Sequence, residues 1–588
     1  MSFALAASGC GTADAIRAPA TTGMGCTANA DCASGLCALD PPNGPTNGPW
    51  SGGYCTTDCA TTACADGDMC RSFTTGTLAG SNFCLHRCTA QSDCRAGYQC
   101  FQKGCIPSCA TDEDCGKGFG CMGGSCLELP GAAVGQKCAT DDDCSSRDCD
   151  VATRTCQLAC TRDDACPAGQ TCFKNPVDTN GDGMTDAIRP ICIPLRANQK
   201  DPGARCKKDG DCARGQCDLG VCVSMCEGVG ACTADLACQG MFAILDDGAP
   251  KYRGCLPKSG VLDFDMGASP TVLGVPENAV SFALFTEAKN EDLNMYAGVL
   301  DIVDPMQNTI FSANQNFYVN PLRYQPSEGA SMVIVSNSPL VKMQPFGVYG
   351  FDAFSETRTG VIGPYTVRAK VKLADSPIVQ AGKIALHVFI TNLAGGCKTF
   401  NASTAPTVLA GFEQEMRTIF AQAQITIDEI KYFDSIAPST FTESNSGPSP
   451  QLDMLLKQAT AVDTPQALEL VIVKRIDSSG GGNFEVLGVA GGIPGSSGIP
   501  GTVHSGATAS LTSLCTGGQK EFALTAAHEL AHTLGLFHSV EQNGKTDQMT
   551  DDRTDGPTNL MYWEEGSTQA KLSPQQCTAI LQNPVVRP

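Results

Sequence analysis

Between Cys10 and Cys255 the chain carries 33 of its 36 cysteines, and no other feature restricts its fold as much. A unit C-x5-C-x4/5-C recurs at Cys26-Cys32-Cys37, Cys88-Cys94-Cys100, Cys109-Cys115-Cys121, Cys138-Cys144-Cys149, Cys160-Cys166-Cys172, Cys206-Cys212-Cys217 and Cys226-Cys232-Cys238, often with Asp before the second cysteine. Few large apolar residues lie between, so no unit can bury a core, and covalent staples must replace one. Paired CxxC knuckles of zinc ribbons are absent. Such a density of thiols therefore reads as a disulfide framework made in an oxidising space, which implies export. The repetition predicts small knots stacked in a row, a stalk or binding array. Spacing alone leaves their connectivity open.

The start of the chain, MSFALAASGC, has no basic segment and only a short apolar run. Ala7-Ser8-Gly9-Cys10 resembles the end of a bacterial lipoprotein signal, with Cys10 as the lipidated residue and Ala7 where Leu is usual. The competing reading is an ordinary start followed by one more disulfide cysteine. Setting Cys10 aside leaves 33 − 1 = 32 cysteines in this region, an even number. No later stretch reaches the ~18 apolar residues of a membrane-spanning helix.

At 588 residues the chain is too long for one core. We divide it into a truncated signal-like leader and linker (1–25), a Cys-rich disulfide array (26–257), a β-sandwich-like module (262–375) and an α/β catalytic domain (380–588). Within the array, Asp178-Thr179-Asn180-Gly181-Asp182-Gly183-Met184-Thr185-Asp186 sets oxygen ligands at alternate positions around a glycine turn, a candidate calcium loop through Asp178, Asn180, Asp182 and Asp186. Arg189 stands where an EF-hand has its twelfth-position Glu. The loop resembles the shorter DxNxDG loops of dockerin-like and thrombospondin-like repeats. A plain polar turn is the alternative.

The module at 262–375 contains no cysteine, and runs such as VSFALFTEA, SMVIVSNS and YTVRAKVKLA alternate with turn residues. That patterning predicts an all-β sandwich serving as a spacer, a prodomain-like module or a substrate-binding module. From about 380 the texture changes. KIALHVFITN reads as a strand, TVLAGFEQEMRTIFAQAQ as a helix, and the near-continuous apolar LELVIVKRI as a strand covered on both faces. A Gly-rich stretch, VLGVAGGIPGSSGIPGTVHSGATAS, precedes a helix over 521–538.

That helix carries His528-Glu529-Leu530-Ala531-His532, then Gly535 and His538, and holds three of the six histidines in the chain. Histidines four apart share one helix face, so both imidazoles can meet one metal. Gly535 can end the helix with a positive φ and turn the chain back to bring His538 to the same ion. Three histidines leave a fourth position open for water, the arrangement of a catalytic zinc. Glu529, beside the first ligand, is placed to take a proton from that water and deliver it to a leaving amine.

HExxHxxGxxH resembles the metzincin clan of zinc endopeptidases, which also needs a methionine turn below the metal. Asn559-Leu560-Met561-Tyr562-Trp563 supplies one with Met561. The resemblance covers about 380–588, looks most like the pappalysin-type branch, and implies a twisted sheet with helices, split by a cleft with zinc at its floor. In astacin-like members a Tyr two residues after the Met can ligate zinc; Trp563 occupies that place. The stretch before the helix is where the clan keeps the strand that pairs with substrate, so His504 is a candidate substrate contact or else a surface histidine. A bridge from Cys515 to Cys577 resembles one in snake-venom-type members. Asp547, Asp551, Asp552 and Asp555 read either as a second calcium holder or as a solvated acidic loop.

The formal net charge of −21 argues against nucleic acid and against adhesion to anionic membranes. The reading that follows is an exported zinc-dependent endopeptidase acting on proteins or peptides at the bacterial cell surface or outside it. Its cofactors would be zinc and, at the candidate loop, calcium; Cys10 would be a lipid anchor. Two alternatives stand beside it. One is a cell-surface Cys-rich adhesive or binding protein with a latent or inactive peptidase domain. The other is an enzyme held latent by an unpaired cysteine, Cys397, on the zinc.

Overall fold

The structure is a computed structural model. It describes residues 20–38, 50, 52–65, 67–72, 82–110, 119–122, 124–128, 136–138, 144, 149–150, 155–166, 169–177, 187–188, 190–196, 199–227, 231–233, 235–242, 251–267, 269–315, 320–322, 324, 326–338, 340–443, 449–461, 467–479, 486–551, 555–564 and 570–588. Cys10 and the candidate calcium loop with Asp178, Asn180, Asp182 and Asp186 lie outside the described residues. The chain divides into two compact units. One holds the repeats up to Cys192; the other holds the last two repeats and everything after them.

Among the described residues the repeats bond their four cysteines first to third and second to fourth. Cys26–Cys37 crosses Cys32–Cys55, Cys88–Cys100 crosses Cys94–Cys105, and Cys206–Cys217 crosses Cys212–Cys222. Cys59–Cys70 with Cys64–Cys84 forms a repeat that the spacing C-x5-C-x4/5-C passes over. The third and fourth cysteines face each other across a short antiparallel hairpin, as in Cys172↔Cys192 and Cys217↔Cys222. The Asp before the second cysteine has a mechanical role. Asp31 Oδ2 accepts the backbone N–H groups of Thr27 (2.7 Å) and Ala28 (2.9 Å), closing a 3-10 turn at Asn29–Asp31. Asp93 and Asp211 do the same in their repeats. Bridged loops of 10 to 26 residues each restrict the unfolded chain, a stabilisation on the order of 2–4 kcal/mol per bridge.

After the array two antiparallel sheets follow. Numbering from here, β1 (Gly260–Gly267), β3 (Ala279–Ala288), β7 (Ala330–Val335) and β9 (Tyr365–Leu373) form one sheet in the order β1-β9-β3-β7. The other contains β2 (Val272–Val275), β4 (Met295–Val303), β5 (Thr309–Ser312), β6 (Ser327–Glu328) and β8 (Gly347–Thr357). This module is bonded into the region that follows it. The buried Lys372 Nζ donates to the carbonyls of Leu581 (2.5 Å), Asn583 and Val586. Glu291 Oε2 accepts from the Val503 N–H (3.0 Å) and pairs with Lys457 (3.0 Å). Ala283, Phe285, Met332 and Ile334 pack on Ile499 and Val503.

The last region has a five-stranded sheet. Its strands are β10 (Gly382–Ile390), β11 (Ile425–Asp434), β13 (Ala467–Val473), β15 (Gly488–Ala490) and β16 (Ala507–Ser510), ordered β11-β10-β13-β16-β15; β12 (Thr440–Glu443) and β14 (Arg475–Ser478) pair apart. All its pairs are parallel except β15 with β16. Helices α1 (Ala410–Ala421), α3 (Leu511–Thr533) and α4 (Pro574–Gln582) cover one face, and α2 (Pro450–Ala459) covers the other. Every residue of β13 is buried, as expected of a strand covered on both sides. Helix α3 begins ten residues before its expected start and ends five before its expected end; Gly518, at φ 77°, breaks it into two segments. In its second segment Ala523, Ala526, Ala527 and Ala531 are fully buried, small enough to let the helix lie close on the sheet. Among the described residues no helix is long and apolar enough to cross a membrane.

Candidate metal centre

Helix α3 presents His528 and His532 one turn apart, then stops. The Gly535 N–H donates to the His532 carbonyl (2.8 Å) and the Leu536 N–H to the Ala531 carbonyl (3.0 Å), with Gly535 at φ 106°. This pair of bonds is the Schellman ending, which needs a residue tolerant of positive φ. The chain reverses there and delivers His538.

The three Nε2 atoms converge. His528 to His532 is 3.1 Å, His532 to His538 is 3.1 Å, and His528 to His538 is 3.3 Å. Each Nδ1 faces an acceptor on the opposite side of its ring: the Leu560 carbonyl for His528 (2.6 Å), the Leu536 carbonyl for His532 (2.7 Å) and Glu541 Oε2 for His538 (2.9 Å). With the proton of each ring on Nδ1, three Nε2 lone pairs point at one another. Burial, with His538 adding to it, pushes His528 down to about 4. His532 is also pushed well below the usual imidazole range, through burial first and then His528 and His538. Both rings are therefore neutral near pH 7, the form that ligates. Three lone pairs at this separation repel unless a cation sits among them. A tetrahedral zinc with Zn–N of about 2.0–2.1 Å sets its nitrogens about 3.3–3.4 Å apart, close to the observed triangle. The residues fit the ion.

Glu529 is 7% exposed, on the turn between the two helical histidines. It packs against the edge strand β15: a Cβ placed on Gly488 would fall 2.6 Å from Glu529 Cγ. Met561 is fully buried in the core that also holds Leu530, Ala531 and Leu560. Its N–H donates to Asn559 Oδ1 (2.8 Å), and Asn559 and Gln576 of α4 exchange two side-chain hydrogen bonds of 3.0 Å. The Ser539 N–H bonds the Met561 carbonyl (2.7 Å). The turn that carries Leu560 and Met561 is thus locked both to α4 and to the segment after His538.

Other expected site residues fall elsewhere. His504 is buried, with Nδ1 2.6 Å from the Gly491 carbonyl and Nε2 2.8 Å from the Glu328 carbonyl of β6, and Asp453 lies 3.2 Å from Nδ1. Both its nitrogens are engaged, so it ties the Gly-rich stretch to strand β6 and is neither a surface histidine nor free to meet substrate. Cys515 bonds Cys397, not Cys577, because the start of α3 lies beside the loop after β10; Cys577 is a half-buried thiol near the Gln422 carbonyl. That pairing also removes Cys397 as a latency thiol. Asp547 accepts from the Met549 N–H, Asp551 from the Gln575 N–H, and Asp555 pairs with Lys571. Each holds its own part of the loop; Asp552 lies outside the described residues.

Sequence reasoning missed Glu541 and Gly488. Glu541 stands three residues past His538, a spacing that marks nothing on its own, and Gly488 is one of many glycines in its stretch. No family model and no curated protein matches the chain. Among solved structures, metalloproteinase-II from Bacteroides fragilis is similar over 37% of this chain and 62% of that one, at 15% identity and a TM-score of 0.24. The protein YXIM_BACsu from Bacillus subtilis is similar over 34% and 45%, at 8% identity and 0.10. A family two carbohydrate esterase from Cellvibrio japonicus is similar over 41% and 64%, at 10% and 0.10. The chain spans less than two thirds of each. Likeness this slight carries no functional argument, which rests on the site itself.

Proposed function

We propose that the chain is an exported zinc-dependent endopeptidase of metzincin type, in which His528, His532 and His538 would hold the metal and Glu529 is the general base. The observation that carries this reading is the convergence of three Nε2 atoms, each ring fixed from behind through Nδ1. Zinc, when bound there, supplies a Lewis acid that lowers the pKa of a coordinated water and polarises a carbonyl. Glu529 accepts the proton of the attacking water and returns it to the leaving amine, and burial keeps competing solvent away from its carboxylate. Edge strand β15 has one side paired with β16 and offers the other to an extended peptide by strand addition. Met561 and the Asn559–Gln576 pair position the Leu560 carbonyl that orients His528. The disulfide array supports the exported setting.

The test is the Glu529→Gln variant. It should retain zinc at the level of the unaltered protein and lose peptide hydrolysis, since Gln keeps the shape and cannot take the proton. Loss of zinc, or hydrolysis at an undiminished rate, would refute the assigned role.

A further inference from the structure

The three histidines are not held alike. His528 and His532 are oriented by main-chain carbonyls deep in the core. His538, about a quarter exposed, is oriented by a carboxylate, Glu541, also about a quarter exposed. From this asymmetry we infer that Glu541 is the positioning residue that sets metal affinity at the third ligand; the inference rests on the peptidase reading of the site.

Glu541 does not hang from a loose loop. Its N–H donates to the Lys545 carbonyl (2.7 Å) and its carbonyl accepts from the Gly544 N–H (2.8 Å), closing a tight turn in which Gly544 takes φ 78°. Asn543 Oδ1 accepts from the Lys545 N–H (3.0 Å) inside the same turn. Val540 and Thr546, flanking it, form a bridge, and Val540 also bridges to Tyr562, next to Met561. The backbone of Glu541 is therefore stitched to the methionine turn, and its carboxylate meets Nδ1 of His538 from a fixed direction. A carboxylate on the far nitrogen of a ligating histidine fixes the ring and raises the basicity of the near nitrogen, and its removal typically costs 10–100-fold in metal affinity. His538 most needs this help. It follows the helix end, so no helical turn orients it, and water reaches its ring.

The experiment measures zinc affinity of the full-length protein by competition with a chromophoric chelator, for the unaltered chain, Glu541→Ala and Glu541→Gln. Glu541→Ala should bind zinc about 10–100-fold more weakly. Glu541→Gln should fall between, because its amide oxygen accepts the same N–H without the charge. The metal-free melting temperature should not move for either. If both variants bind zinc like the unaltered chain, Glu541 is not the positioning residue. A loss of affinity matched by a fall in the metal-free melting temperature would make it a structural residue and would equally overturn the inference. If the unaltered chain itself fails to bind zinc, the peptidase reading falls, and this inference with it.

Discussion

Replacing Gly488 by Ala tests whether the position of Glu529 controls the chemistry. A Cβ built on Gly488 lies 2.6 Å from Glu529 Cγ, 3.1 Å from its Oε1 and 3.0 Å from Thr525 Cγ2. Carbon atoms in contact sit about 3.5–4.0 Å apart, so roughly 1 Å must be yielded. Glu529 is anchored on α3 between two histidines, and β15 is held by β16. The side chain of Glu529 is the softest of these parts and gives way. A misplacement of about 1 Å in a reacting group costs about 100-fold in rate, near 2.7 kcal/mol of barrier. Steady-state hydrolysis of a peptide substrate, with zinc content measured on the same samples, should show kcat lower by about 100-fold and zinc unchanged, since no histidine is touched. Activity within threefold of the unaltered protein, or loss of zinc, would refute the reasoning.

Glu469 is fully buried in β13, and burial pushes it up to about 8 against the pull of Lys370. The folded state therefore keeps a proton that the unfolded chain releases near pH 4.5, and the stability this confers fades as pH rises through 8. Between pH 6.5 and 9, metal-free protein should lose stability that Glu469→Gln retains, a difference of at most about 2 kcal/mol; parallel melting curves across that range would contradict it. Asp453, raised to about 6 by burial, shifts in the same direction but completes its change at lower pH. Alkylation of the denatured, unreduced protein followed by peptide mapping should label Cys577 and recover Cys397 joined to Cys515; a Cys515–Cys577 peptide would overturn the pairing described above.

The helix, the ligand spacing and the turn at Gly535 were legible because each is a local rule: a residue four ahead shares a helix face, and a helix end needs positive φ. What orients the ligands was not legible. The Leu536 and Leu560 carbonyls are main-chain groups that any residue supplies, and Glu541 reaches His538 through a turn that no spacing announces. Gly488 matters only because another strand brings it beside Glu529. In the array the first three cysteines keep near-constant spacing and were read as the unit. The fourth closes a hairpin of variable length, short between Cys100 and Cys105 and long between Cys172 and Cys192, so its membership emerged only in three dimensions. His504 looked exposed in a Gly-rich stretch; burial came from strand β6, far away in sequence.

X-ray absorption at the zinc edge tests the central claim most directly. On the purified protein loaded with one equivalent of zinc, the account predicts three imidazole nitrogens at about 2.0–2.1 Å and one further light-atom ligand at similar distance. The His538→Ala variant should lose one imidazole and bind zinc more weakly. A sulfur neighbour at about 2.3 Å, or a site that stays unchanged in His538→Ala, would contradict the account.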